Sequence, residues 1–176
     1  MVALICANLL TVESVECAFD AITYQNHCTW EDLGCTYSSK TLNCNALGIT
    51  GPVHVTNYPK EVVTITYQSN EITYFVQGEF DGCPLLEKIN LDNNKLFSRE
   101  SQQIALANTL FQQNHNLTSI SLKNNKMSVM YVGQFSTNIL LRSIDLSDNQ
   151  LTSLPSQLFA MNPLLSGCFH GRGRCD

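Results

Sequence analysis

Charge is scarce in this chain: Asp, Glu, Lys and Arg together make up 14% of 176 residues. Only ten of those are Lys or Arg, against fifteen acidic residues, and the net charge is −5. A sequence-independent nucleic-acid surface needs clustered Lys and Arg, so this balance argues against one. Long apolar runs are missing too; none reaches the roughly 18 residues of a membrane-spanning helix. Catalytic signatures are absent: no G-x-S-x-G, no H-E-x-x-H, no phosphate-cradling glycine loop and no C-x-x-C pair. The four histidines, His27, His54, His115 and His170, are scattered. No enzyme, cofactor or metal site is expected. Tryptophan occurs once, at Trp30; it either plugs the core of the N-terminal region or serves as an exposed contact.

Cysteine is plentiful, with eight, and its grouping matters more than its number. Cys28, Cys35 and Cys44 crowd the front, Cys168 and Cys175 crowd the end, and Cys83 sits between. The intervening stretches of six, eight and six residues are wrong for zinc knuckles. They fit disulfide-stapled ends in an oxidising compartment. The first 17 residues include an apolar run whose length suits a secretory signal, although Asn8 interrupts it and no Lys or Arg precedes it. The alternative is a buried N-terminal element. Cleavage after Cys17 would remove Cys6 and Cys17.

The body of the chain is repetitive. Leu86, Ile89, Leu91, Asn94 and Leu96 recur as Leu117, Ile120, Leu122, Asn125 and Met127, then as Leu141, Ile144, Leu146, Asn149 and Leu151. A weaker copy comes first: Val62, Ile65, Tyr67, Asn70 and Ile72. With Leu165, the steps are 24, 31, 24 and 24 residues. Phe80, Phe111, Phe135 and Phe159 share one later place, and Cys83, Asn114, Asn138 and Asn162 another, once a seven-residue insertion in the second copy is allowed. A period near 24 with the pattern L-x-x-L-x-L-x-x-N-x-L marks a solenoid of leucine-rich repeats.

The chain resembles extracellular leucine-rich-repeat proteins. Leu42-Asn-Cys44, Leu47 and Ile49 match their cysteine-rich N-terminal flank, though a tight C-x-C pair is absent. The Leu154-Pro155 step and the Phe column look like the animal receptor-ectodomain type. The resemblance implies an α/β solenoid: a curved parallel sheet on the concave side and an irregular or short-helical convex side. It also implies an asparagine ladder through Asn70, Asn94, Asn125 and Asn149, and an inner Phe spine. The expected layout is a signal peptide at 1–17 and a cap at 18–61 with short antiparallel strands. Repeats follow at 62–85, 86–116, 117–140 and 141–164, then a short tail at 166–176. The insertion, Phe97 through Ala107, is expected to lengthen a convex helix. Cys168-Phe-His-Gly-Arg-Gly-Arg-Cys175 does not continue the leucine pattern and is expected to form a minimal cap. Cys83 is either a small buried thiol or a partner for a cap cysteine.

Successive side chains along a strand alternate between faces, so each repeat offers outward residues to the concave side. The columns are Thr64, Lys88, Ser119, Ser143; Thr66, Asn90, Ser121, Asp145; and Gln68, Asp92, Lys123, Ser147. A fourth holds Val63, Glu87, Thr118 and Arg142. This polar, aromatic-poor face suits a protein or glycan partner. Asn116-Leu-Thr118 is the sole N-x-S/T sequon and a candidate glycosylation site. The resemblance implies a secreted binding module, with innate immune recognition as one role. A truncated receptor or adhesion ectodomain with a mainly structural role is the alternative.

Overall fold

A computed structural model describes residues 15–16, 28–97, 109–171 and 173–174. Most of residues 1–17, expected to be a signal peptide, the insertion beyond Phe97, and Cys6, Cys17, His27 and Cys175 lie outside the described residues. In chain order the strands are β1 (Val15–Glu16), β2 (Thr36–Ser38), β3 (Thr41–Asn43), β4 (Ile49–Val53), β5 (Thr64–Thr66), β6 (Glu71–Phe75), β7 (Lys88–Asn90), β8 (Ser119–Ser121), β9 (Ser143–Ser147), β10 (Gly167–Gly171) and β11 (Gly173–Arg174).

Eight of these form one sheet in the order β11-β10-β9-β8-β7-β5-β3-β2. Its six inner strands, β3, β5, β7, β8, β9 and β10, are parallel neighbours in one register. Leu42, Ile65, Ile89, Ile120, Ile144 and Cys168 therefore form a single inward row. Each is at most 7% exposed. Burying one such aliphatic side chain is worth about 1.5–3 kcal/mol, and a solenoid collects it only when turns stack.

Both ends of the parallel run close with an antiparallel strand, β2 on β3 and β11 on β10. In the β2–β3 hairpin, Ser39 and Lys40 both have positive φ, at 48° and 61°. That is the two-residue turn whose twist matches paired strands. Cys35 and Cys44 flank this hairpin and are bonded to each other; Cys28 and Cys168 are disulfide-bonded as well. Cys83 is the free cysteine among the described residues, and it is buried. Trp30 packs edge-on against Tyr37, ring centroids 6.2 Å apart, and leans on the core from the cap.

The structure settles or changes three points of the sequence reading. Of the irregular or short-helical convex side expected, the described residues show the irregular form, with no helix. Instead, each repeat makes two successive backbone turns, from Phe80 to Cys83 and Cys83 to Leu86, repeated at Phe111–Asn114–Leu117, Phe135–Asn138–Leu141 and Phe159–Asn162–Leu165. Pro84, Pro155 and Pro163 lie in or beside these turns, and Pro carries no N–H for a helical ladder. Second, the run after Leu165 does continue the repeat. Cys168 aligns with Ile144 and His170 with Leu146, each 24 residues on. Third, the N-terminal region is a sheet strand as well as a cap: β3 pairs in parallel with β5. A smaller sheet, β1-β4-β6, runs beyond the asparagine turns.

The asparagine turns hold these parts in phase. Asn94 Nδ2 donates to Tyr67 O (2.9 Å) and Leu91 O (3.1 Å), while its Oδ1 accepts from Ile72 N (3.1 Å). Asn125 does the same with Leu91 O, Leu122 O and Leu96 N. Asn149 serves Leu122 O, Leu146 O and Met127 N. Asn70 ties the first repeat to the cap, through Cys44 O, Tyr67 O, Leu47 N and Ile49 N. These are backbone groups that burial would otherwise strand. The residue before each is left-handed: Ser69, Asn93, Asn124 and Asp148. Asn and Asp tolerate that conformation better than most. Ala46 takes the same conformation in the cap, so the turn begins there.

Candidate functional site: the concave sheet face

The sheet register places the outward residues in straight rows. Thr41, Thr64, Lys88, Ser119, Ser143 and Gly167 form one; Asn43, Thr66, Asn90, Ser121, Asp145 and Phe169 form the next. Backbone bonds from Ser69 N to Asp92 O, Asn93 N to Lys123 O and Asn124 N to Ser147 O carry the alignment on to Gln68, Asp92, Lys123 and Ser147. At the strand entries, bonds from Glu87 N to Val63 O, Thr118 N to Glu87 O and Arg142 N to Thr118 O align the fourth row.

Several polar side chains in these rows are already occupied. Asp92 Oδ1 accepts from Lys123 N (2.8 Å) and Ser121 Oγ (2.6 Å), clamping two strands. Asn45 Oδ1 does the same for Gln68 N and Thr66 Oγ1. Asn90 Oδ1 accepts from Asp92 N, and Asp145 Oδ1 from Ser147 N and Oγ. Lys123 Nζ lies 3.6 Å from Asp148 Oδ2 across the rim. Among the described residues, the side chains of Thr64, Lys88, Ser119 and Ser143 carry no such duty. That row is the one whose polar groups a partner can take over without breaking a turn.

Phe169 was not expected. It stands beside Asp145 on the concave side and is 42% exposed. Sequence reasoning missed it because Cys168 and His170 occupy the inward places where a leucine pattern looks for Leu. The signal was the unbroken 24-residue step from Ile144 and Leu146. His170 Nε2 lies 3.2 Å from Leu151 O, a polar contact suited to an inward ring.

A second unexpected feature lies beneath the face. Glu79 is buried, with His54 Nδ1 2.9 Å from Oε2; its Oε1 accepts from Val55 N (2.7 Å) and Tyr58 OH (2.8 Å). Tyr58 OH lies 2.9 Å from Tyr67 OH. Burial pushes the Glu79 carboxyl up, against the opposing pull of His54, Val55 and Tyr58. The bond to Glu79 raises His54, against a smaller desolvation effect. Burial drives the Tyr58 and Tyr67 hydroxyls up, with the Glu79 charge adding to it. These groups lock the loop after β4 to the first repeat. The sequence signal was paired: Glu79 sits where later repeats have Leu110, Gln134 and Leu158, and Tyr67 where they have Leu91, Leu122 and Leu146.

The Phe column is an internal spine. Phe80 stacks on Phe111 at 5.9 Å and 8°, and Phe135 on Phe159 at 5.8 Å and 16°. Next to it, Asn114, Asn138 and Asn162 donate one turn back, for example Asn138 to Phe111 O and Asn114 O. Their Oδ1 atoms are buried and accept no hydrogen bond. Cys83 opens this column, where Asn114 donates to its carbonyl. Burial, with the Glu79 charge adding to it, pushes its thiol up to about 12. Among the described residues no group of three His, Cys, Asp or Glu could hold a metal ion, and no helix is long and apolar enough to cross a membrane.

This is the leucine-rich-repeat solenoid, and comparison with known proteins agrees. The Leucine Rich Repeat family model matches residues 140–161. Over 74 residues, 42% of the chain, it is 36% identical to the leucine-rich repeat-containing G-protein coupled receptor 5 of Rattus norvegicus. Its fold resembles a chain of the Toll–Spatzle complex, described as a molecular hub in Drosophila development and innate immunity. There the TM-score is 0.54 and the identity 24% over 63% of this chain. The chain spans 7% of the receptor and 14% of that solved chain. All three likenesses are thus to leucine-rich-repeat proteins or to their fold.

Proposed function

We propose that this chain is a non-enzymatic extracellular binding module whose concave sheet face takes a protein or glycan partner. The observation that carries this is the row of Thr64, Lys88, Ser119 and Ser143 beside exposed Phe169, on a frame whose ladder asparagines are fully bonded. Rigid polar rows with one aromatic anchor suit specific recognition more than storage or catalysis. The solved chain that shares this fold is in complex with Spatzle, which supports a protein partner and a role in innate immune recognition. The Cys35–Cys44 bond supports an oxidising compartment.

Intact mass and thiol count of the protein secreted from eukaryotic cells test the compartment. Export without residues 1–17 is expected; six cysteines then remain, and with Cys83 free the thiol count is even, so two thiols are expected, Cys83 and one other. Retention of Val15–Glu16, which pairs with β4 in the full chain, would sink the signal peptide. Failure of export would sink the extracellular reading. A second reading, a segment of a longer receptor ectodomain, is favoured by the half-buried state of Leu151, Leu154, Phe159 and Leu165 in the last turn. It predicts concentration-dependent self-association through that end.

A further inference from the structure

We infer that Asn116 carries an N-linked glycan that covers an apolar flank of the solenoid. This rests on the extracellular reading above. The residue just before the first leucine of each repeat is Leu85, Asn116, Leu140 and Leu164. Leu85, Leu140 and Leu164 are 43%, 39% and 40% exposed, and Ile139 beside Leu140 is 52% exposed. Pro84, Ile139 and Pro163 occupy the preceding place, so the stripe is apolar in three of its four repeats. Equivalent places in stacked repeats lie one strand spacing apart, about 4.8 Å. Here the alignment is fixed by Asn138 Nδ2 on Asn114 O (2.9 Å) and by His115 Nδ1, 3.4 Å from Thr137 O.

The sole sequon thus sits inside the stripe, flanked by Leu85 and Leu140. Asn116 is exposed, and its Nδ2 donates to Pro84 O at 3.0 Å. A side-chain amide has two hydrogens. Transfer from a lipid-diphosphate-linked oligosaccharide breaks the sugar C1–O bond to the diphosphate and forms C1–Nδ2. The displaced amide proton leaves, and the lipid diphosphate departs as the anion. The second amide hydrogen keeps the bond to Pro84 O, and this holds the first sugar against the flank. An aliphatic stripe of this kind otherwise marks an association surface. The glycan closes this flank and leaves the concave face, with its row of Thr64, Lys88, Ser119 and Ser143, as the side open to a partner.

The test is made on the full chain secreted from eukaryotic cells. Peptide-N-glycosidase treatment should remove glycan mass and convert Asn116 to Asp. Sedimentation then compares the native glycoprotein, the enzymatically deglycosylated protein and Asn116→Gln. The glycoprotein should be monomeric, and both sugar-free forms should self-associate at least tenfold more strongly. Adding Leu85→Ser and Leu140→Ser to Asn116→Gln should restore the monomer. Secreted protein with an empty sequon overturns the inference and leaves the extracellular reading standing. So does a sugar-free form as monomeric as the glycoprotein. Absence of export would sink the extracellular reading itself, and the glycan with it. Deglycosylating protein that is already folded keeps the result independent of whether Asn116→Gln folds.

Discussion

His54 Nδ1 sits 2.9 Å from a Glu79 carboxylate oxygen, and both groups hold a proton more tightly in the fold than in water. For a raised His pKa, the stabilisation is complete below its unfolded value of about 6.5 and fades as pH rises through the folded value. A raised carboxyl pKa has the same sign, because the unfolded chain releases that proton at lower pH. Among the described residues, His54–Glu79 is the one histidine–carboxylate pair. The melting temperature is therefore expected to fall between pH 5.5 and 8.5, and Glu79→Gln should flatten that slope. A wild-type curve parallel to that of Glu79→Gln would remove the pair from the account.

Tyr58→Phe tests the same network without touching charge. It takes one donor from Glu79 Oε1 and the partner from Tyr67 OH. Unpaired buried polar groups cost about 1–3 kcal/mol each, so a loss of about 2 kcal/mol is expected in urea unfolding. The aromatic contact with Phe80, at 5.7 Å, is retained by Phe. A change below about 0.5 kcal/mol would mean that the hydroxyl contributes nothing.

Asn125 joins two repeats through Leu91 O, Leu122 O and Leu96 N, at 3.0, 3.0 and 3.1 Å. Asn125→Ala leaves Leu96 N buried without a partner and takes one of two donors from Leu91 O and from Leu122 O, which Asn94 and Asn149 still serve. The expected cost is about 1–3 kcal/mol, in an unfolding transition that stays single. A stability equal to wild type would show that water or a shifted backbone takes over the ladder.

Cys83 should be silent to alkylation. The thiolate is the reactive form, and burial pushes this thiol up to about 12. At pH 8, iodoacetamide is expected to leave it unlabelled in the native state and to label it once denaturant unfolds the chain. Fast native labelling would mean that the first convex turn opens. The Cys35–Cys44 bond closes a short loop, nine residues apart in sequence. Replacing both with Ser should cost about 2–3 kcal/mol by the loop-entropy argument.

The solenoid was legible because its inward places are set by packing alone. Ile89, Ile120 and Ile144 must be apolar, and a fixed period follows. The concave rows were legible for the same reason, since strand alternation fixes what faces out. What stayed hidden were residues that break the pattern in pairs. Glu79 reads as a surface acid until Tyr58 and His54, distant in sequence, are seen to satisfy it. His170 and Cys168 read as a tail because strand pairing and a disulfide, not leucine packing, hold the last parallel strand. The convex side was left between irregular and short-helical because apolar spacing in short segments cannot separate a helix from successive turns.

Phe169 is where that hidden strand meets the proposed binding face. It ends the row that begins at Asn43 and Thr66 and is the aromatic the sequence reading found wanting. A half-exposed aromatic beside Asp145 offers a partner apolar area that small polar residues cannot, and such anchors carry much of an interface's energy. Phe169→Ala is expected to weaken partner binding at least tenfold, about 1.4 kcal/mol, with little change in melting temperature, since much of the ring is already in water. Ser119→Arg, in the adjacent row, should abolish binding by bulk and charge. Val132→Arg, on the convex side and 60% exposed, should leave it unchanged. Surface plasmon resonance of the three variants against one extracellular partner reads all of this. Loss with Val132→Arg but not with Ser119→Arg would move the binding site off the concave face.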